Sequence, residues 1–218
     1  MKSAAFGRLV AGPVGSGKTT SCIMELFRRS LEQEKAPDGY RYTRFAVVRQ
    51  TLKQLKDTVL KDIMKELEGL CTYRVTDNLI LVEFGDIRSE WLLIPLEDPE
   101  DQRRLLSMQL TGAWMSECIE MQVKLVAALS GRCGRYPSGN KGYCTWRGVI
   151  ADTNMPSEGS DWHKFMTDPN NTEWEIFLQP GGLEEHAENL MWLNQTAESV
   201  KLPLDSPERA AIGRVYYE

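Results

Sequence analysis

Short apolar runs bounded by polar residues recur along the first 180 residues of the chain, at 8–11, 45–49, 112–115, 148–151 and 175–178. Runs of that length predict buried strands. Helical spacing fills the intervals between them. Residues 19–30 carry Cys22, Ile23, Leu26 and Phe27 on one side, and residues 51–67 carry Leu52, Leu55, Val59, Ile63 and Leu67, the stripe of an amphipathic helix. Shorter helices are predicted at 99–106, 122–129 and 161–167. The runs at 79–84 and 91–96 flank the polar turn Gly85-Asp86 and read as an inserted β-hairpin. Strands alternating with helices imply an α/β fold, a mostly parallel central sheet with helices on both faces. From Pro180 the pattern weakens until Ser206-Pro207-Glu208, where a capping serine and a proline at the first position predict a last helix. Residues 1–180 are therefore expected to form the core and 181–218 an extension.

Composition changes this picture little. With 218 residues, 42% hydrophobic and 26% charged, the chain suits one α/β domain plus an extension. No apolar run approaches the ~20 residues of a membrane helix, and the first residues carry no signal-peptide pattern. The five cysteines are scattered without a C-x-x-C pair, which favours reduced thiols over a disulfide framework. Cys133, Cys144 and His163 are spaced poorly for a metal site. The net charge of −5 matters more. A domain that grips nucleic acid alone is usually basic, so any DNA contact must come from local patches, oligomeric geometry or another domain. Lys53, Lys61 and Lys65 line the polar side of the 51–67 helix, either as a solvated face or as a phosphate-tracking one.

The candidate chemistry sits between the first strand and the first helix. Gly12-Pro13-Val14-Gly15-Ser16-Gly17-Lys18-Thr19 matches the phosphate-binding loop pattern G-x-x-x-x-G-K-[ST] in full, followed by Thr20. Glycines let the backbone wrap a polyphosphate while loop and helix N–H groups point at its oxygens. Lys18 would supply a point charge to the β- and γ-phosphates, and the Thr19 hydroxyl would ligate Mg²⁺. ATP and Mg²⁺ are the expected ligands.

Hydrolysis further requires a carboxylate at the end of a second strand. Glu83 sits inside the expected hairpin and is discounted. Asp152 ends one strand with no Glu beside it, and Glu117 ends another with Ser116 where a metal-contacting Asp is expected. In RecA-like ATPases a later strand ends in a polar residue between the loop and the catalytic Glu. Glu117 as the water-orienting base leaves Thr153 and Asn154 for that sensing position, so Glu117 is preferred. Ser116 can still hold a magnesium-bound water, without bringing charge.

Several stretches occur in a specific order: Gly12 to Lys18, Ala46-Val47-Val48-Arg49-Gln50-Thr51, Leu110-Thr111-Gly112-Ala113-Trp114, Gly131-Arg132-Cys133-Gly134-Arg135-Tyr136-Pro137, Ile150-Ala151-Asp152-Thr153-Asn154 and Gln179-Pro180-Gly181-Gly182. Together they resemble the N-terminal ATPase domain of the large terminase subunit, the DNA-packaging motor of tailed bacteriophages, over nearly the whole chain. The resemblance implies a RecA-like (ASCE) P-loop NTPase fold and ATP-driven translocation of double-stranded viral DNA into a procapsid. It also implies portal protein and a small terminase subunit as partners, a homo-oligomeric ring, and the cytoplasm of an infected host cell without membrane attachment. In that family a nuclease domain follows, which this chain lacks, so no endonuclease activity is expected of it. Two positions depart from the family pattern: Ser116-Glu117 stands where Asp-Glu is usual, and the phosphate loop lacks the arginine many members carry. Arg103 and Arg104 are then the candidates for a finger reaching a neighbouring subunit's site, with Arg132 and Arg135 as second choices. The adenine pocket is unassigned. Two rival readings stay open: a small-molecule P-loop kinase, with residues 132–137 as a lid, and a nucleotide-binding scaffold without hydrolysis.

Overall fold

A computed structural model describes residue 3 and residues 5–97 and 99–179. Its strands are β1 (Gly7–Ala11), β2 (Arg41–Arg49), β3 (Cys71–Arg74), β4 (Leu79–Phe84), β5 (Ile87–Pro95), β6 (Gly112–Met115), β7 (Gly148–Thr153) and β8 (Trp174–Leu178). They form one sheet in the order β3-β4-β5-β2-β6-β7-β1-β8. From β5 to β8 every neighbouring pair is parallel, and β3 and β4 extend the edge in antiparallel fashion.

Alternation along the central strands explains the layers. Leu9, Ala46, Val48, Ala113, Met115, Val149 and Ala151 face one way, against Leu105 of α4 (Pro99–Leu106), Leu125 and Leu129 of α5 (Leu125–Ser130) and Trp162 of α6 (Asp161–Thr167). Phe45, Val47, Trp114 and Ile150 face the other way. They pack against Cys22, Ile23 and Leu26 of α1 (Lys18–Glu32) and against Leu55, Val59 and Ile63 of the next helical segment. β6 and β7 are buried at every position, as strands covered on both faces must be.

The amphipathic 51–67 pattern folds as α2 (Leu52–Gln54), a π-helical turn over Leu55–Val59, and α3 (Leu60–Glu66). Thr51 starts it with a capping box, its hydroxyl accepting from the Gln54 amide at 3.2 Å and its own amide donating to Gln54 Oε1 at 3.0 Å.

The expected hairpin is present, β4 pairing antiparallel with β5 across the Gly85-Asp86 turn, but its setting differs in two ways. β5 pairs with β2 in parallel over nine residues, so it belongs to the main sheet rather than to an insertion. The antiparallel part comprises β4 and an additional edge strand, β3. The predicted helix beginning at Ser206 and the 181–218 extension lie outside the described residues.

A buried ion cluster ties α1 to the sheet. Arg8 of β1 is fully buried and donates to Glu25 of α1, which also accepts from Arg28 at 2.7 Å and Arg29 at 2.8 Å. Burial works against the Glu25 carboxylate, but the hydrogen bonds from Arg28 and Arg8 win and hold its pKa below the ordinary range. Arg8 and Arg29 both lie over the Trp146 ring, at 5.2 Å and 4.6 Å.

Candidate active site

The parallel strands all end at the same edge, and the residues of interest follow those ends. β1 stops at Ala11, residues 12–17 turn, and α1 begins at Lys18. Gly15 and Gly17 adopt φ of 76° and 77°, a left-handed backbone that glycine enters without penalty. Gly12 has a different reason to be glycine: a Cβ there would sit 2.7 Å from Gln179 Cβ. Lys18 is buried, and its ammonium donates to the carbonyls of Gly12 at 2.9 Å and Pro13 at 2.7 Å and to Asn154 Oδ1 at 3.2 Å. Lys18 and Asn154, expected at one site, are therefore in direct contact. Thr153, the preceding residue, accepts from the Gly12 amide through its carbonyl at 3.2 Å.

β7 separates β1 from β6. Neighbouring strands lie ~4.8 Å apart, so the ends of β1 and β6 are about 10 Å apart laterally, room for a terminal phosphate and a water. Glu117 follows β6, half-buried, with φ 49° and ψ 56°. A left-handed non-glycine residue is strained, and such residues cluster at functional sites. Burial pushes the Lys18 ammonium below its ordinary pKa, while the carboxylates of Glu117 first and Asp152 second hold it up. Lys18 and Glu117 both follow the C-terminal ends of parallel strands, β1 and β6, so both lie on one edge of the sheet.

Asp152 is fully buried at the penultimate position of β7. Its Oδ1 accepts from the Trp114 indole N–H at 2.5 Å, and its Oδ2 has no hydrogen-bond partner. Burial raises its carboxyl to a pKa of about 7; the Trp114 bond, Lys18 and the Glu117 backbone N–H oppose the rise, and the Glu117 carboxylate adds to it. Thr19 in the first turn of α1 and the buried Ser116 offer hydroxyl oxygens that would hold a magnesium ion. An all-oxygen set fits that ion, and the Asp152 Oδ2 is a buried carboxyl oxygen on the same sheet edge.

Other expected residues are placed as follows. The Thr20 hydroxyl donates to Glu66 of α3 at 3.2 Å, so its side chain serves the helix packing rather than the loop. Arg103 and Arg104 lie in the last turn of α4, exposed. Arg132 donates to the Leu106 carbonyl at 2.6 Å, and the Arg135 amide to the Leu110 carbonyl at 2.9 Å. Both therefore sit near the start of β6, at the edge opposite Lys18. Among the described residues no group of three or more His, Cys, Asp or Glu side chains could hold a metal, Cys133, Cys144 and His163 included. No described helix is long and apolar enough to cross a membrane. A cleft of about 730 Å³ opens beside the site, walled by Ile119, Glu120, Met121, Pro156 and Trp162.

Gln179 has no role assignable from sequence. It follows β8, on the far flank of β1 from β7. The Ser16 hydroxyl donates to its Oε1 at 2.5 Å, its Nε2 donates to the Ser16 carbonyl at 3.1 Å, and its amide donates to Ala11 O at 2.8 Å. The available signal is weak: a glutamine just past the last predicted strand, in a parallel fold whose strand ends share one edge.

With β7 interposed between the phosphate-loop strand and the Glu117 strand, the fold is α/β of the RecA-like type. Solved structures with the same fold include large terminases. The large terminase of a thermophilic bacteriophage matches with a TM-score of 0.61 and 16% identity, over 80% of this chain and 40% of that one. The same phage protein has also been solved with ADP and with ATP-gamma-S. The large terminase ATPase domain of Thermus phage P74-26 matches with a TM-score of 0.54 and 14% identity, over 100% of this chain and 90% of that one. The large terminase of bacteriophage HK97 gives 0.57 and 10%, over 96% and 42%. The chain thus spans about 40% of the length of the first of these terminases. No protein-family model matches the sequence, and no curated protein matches it by sequence.

Proposed function

We propose that this chain is the ATPase of a phage DNA-packaging motor, coupling ATP hydrolysis to translocation of double-stranded DNA. One observation carries the reading: Lys18 and Glu117 share a sheet edge on either side of β7, in a fold matched by large terminases. Lys18 exchanges the Gly12 and Pro13 carbonyls for β- and γ-phosphate oxygens, and the loop amides take the remaining oxygens. Thr19 holds the metal side. Glu117 orients the attacking water and takes its proton. Asn154, bonded to Lys18, registers loss of the γ-phosphate. Magnesium supplies charge neutralisation across the phosphates when bound.

Arg103 or Arg104 is proposed to complete a neighbouring subunit's site in a ring, with portal protein, small terminase subunit and duplex DNA as partners in an infected cell's cytoplasm. An arginine finger is worth ~10³–10⁵ in rate, so the isolated chain should be a slow enzyme whose turnover rises with its concentration. The test is phosphate release to water by wild type and Glu117→Gln, with binding of a fluorescent ATP analogue in parallel. The variant should bind and not hydrolyse; wild-type turnover in it refutes the assignment. The uncharged Ser116 favours one rival, a nucleotide-binding scaffold, which predicts binding without hydrolysis at any protein concentration.

A further inference from the structure

We propose that Asp152, one strand over from the usual place, is the anionic partner of the magnesium shell that Ser116 cannot be. The inference rests on the nucleotide reading above and deepens it. Position is the first argument. The register of β6 on β7 ends with Met115 beside Ala151, so the next step along both strands brings Ser116 level with Asp152. Both share the parity of Trp114 and Ile150, whose side chains pack under α1. Asp152 therefore lies on the face of the sheet from which Lys18 and Thr19 rise. It is also nearer to them than Ser116, because β7 adjoins β1 and pairs Asp152 with Val10.

The second argument is the unpartnered oxygen. Buried carboxylate oxygens are almost always hydrogen-bonded, because leaving one without a donor forfeits its solvation. Oδ1 is fixed by the Trp114 indole, while Oδ2, at zero exposure, makes no hydrogen bond of ordinary geometry, the Glu117 backbone N–H acting on the carboxylate only as a weak further donor. The fixed Oδ1 holds the carboxylate plane, as a rigid metal-side ligand requires. Groups of the same site and its walls act on Asp152: Lys18 and Cys22 from α1, Glu117 and Cys118 from the turn after β6. A core role alone would leave Oδ2 unexplained. A partner arriving with the nucleotide explains it.

The test is the Mg²⁺ concentration at half-maximal tight binding of a fluorescent ATP analogue to the full chain, with binding in EDTA as the reference. Asp152→Asn keeps an acceptor for Trp114 and should raise that concentration about 10–100-fold, without weakening binding in EDTA. Ser116→Ala should move it less, and adding Ser116→Asp to Asp152→Asn should restore much of the loss. An unmoved midpoint in Asp152→Asn with binding intact overturns this inference alone. Failure of wild type to bind nucleotide even in EDTA brings down the nucleotide reading and this inference with it. Should Asp152→Asn not fold, Mn²⁺ with the nucleotide must broaden the aspartate carboxyl ¹³C signal of Asp152 in wild type. A sharp Asp152 signal in the Mn²⁺ complex overturns the assignment.

Discussion

Replacing Glu117 by glycine should make the protein more stable while abolishing its hydrolysis. The residue is held at φ 49° and ψ 56°, a conformation that disfavours non-glycine residues by about 1–2 kcal/mol. Glycine relieves that strain but adds roughly 0.5–1 kcal/mol of unfolded-state freedom. The net gain is about 0.5–1 kcal/mol, or some 1–4 °C in melting temperature for a chain of this size. Loss of the carboxylate also changes the field at Lys18 and Asp152. The informative control is therefore Glu117→Ala, which loses the same charge but keeps a Cβ. Both variants would be melted by circular dichroism without nucleotide and in EDTA, and phosphate release measured alongside. Glu117→Gly should melt above Glu117→Ala by that margin, with neither releasing phosphate. If the glycine variant melts at or below the alanine variant, Glu117 stores no backbone strain. The view that the site is held in tension by the turn after β6 then fails.

Three further outcomes are expected. The Asp152 carboxyl, ordinarily near 3.8, is pushed up to about 7. The folded state thus holds that proton more tightly than the unfolded one, and nucleotide-free protein loses stability as pH rises from about 4 through 7, by up to about 4 kcal/mol. Urea titrations across that range should show the slope in wild type and not in Asp152→Asn; equal slopes contradict it. Gly12→Ala places a methyl group 2.7 Å from Gln179 Cβ, so it should abolish binding of the ATP analogue, and Gln179→Gly in the same chain should recover it. No recovery would mean the glycine serves something other than clearance. Glu25→Gln removes the carboxylate that the buried Arg8 shares with Arg28 and Arg29 and should reduce unfolding free energy by about 3–5 kcal/mol. A loss below about 1 kcal/mol would contradict that carboxylate's role in holding the cluster.

What can be read from sequence is whatever local chemistry dictates. The phosphate loop is legible because Gly15 and Gly17 must be glycine for their dihedral angles. The central strands are legible because burial on both faces leaves few polar positions to obscure them. β3 escapes detection because Cys71-Thr72-Tyr73-Arg74 is a four-residue edge strand, half exposed, with no apolar run. β5 reads as half of a hairpin because its tight turn to β4 is local, whereas its parallel pairing with β2 is not. β2 begins at Arg41, four residues before its apolar run, since Arg41 and Arg44 find Asp86 and Glu90 across the sheet. Asp152 looks like a lone carboxylate at the end of an apolar strand. What gives it meaning is the register with its neighbours on β6 and β1, which one-dimensional spacing does not encode.

Gln179 grips Ser16 by the hydroxyl and the carbonyl at once, while Asn154 grips Lys18 from the opposite flank. Whatever anion seats itself among those amides must prise the cradle away from two separate anchors. Asn154 follows β7 and Gln179 follows β8, so a shift of that loop would be expected to pull on two strands at once.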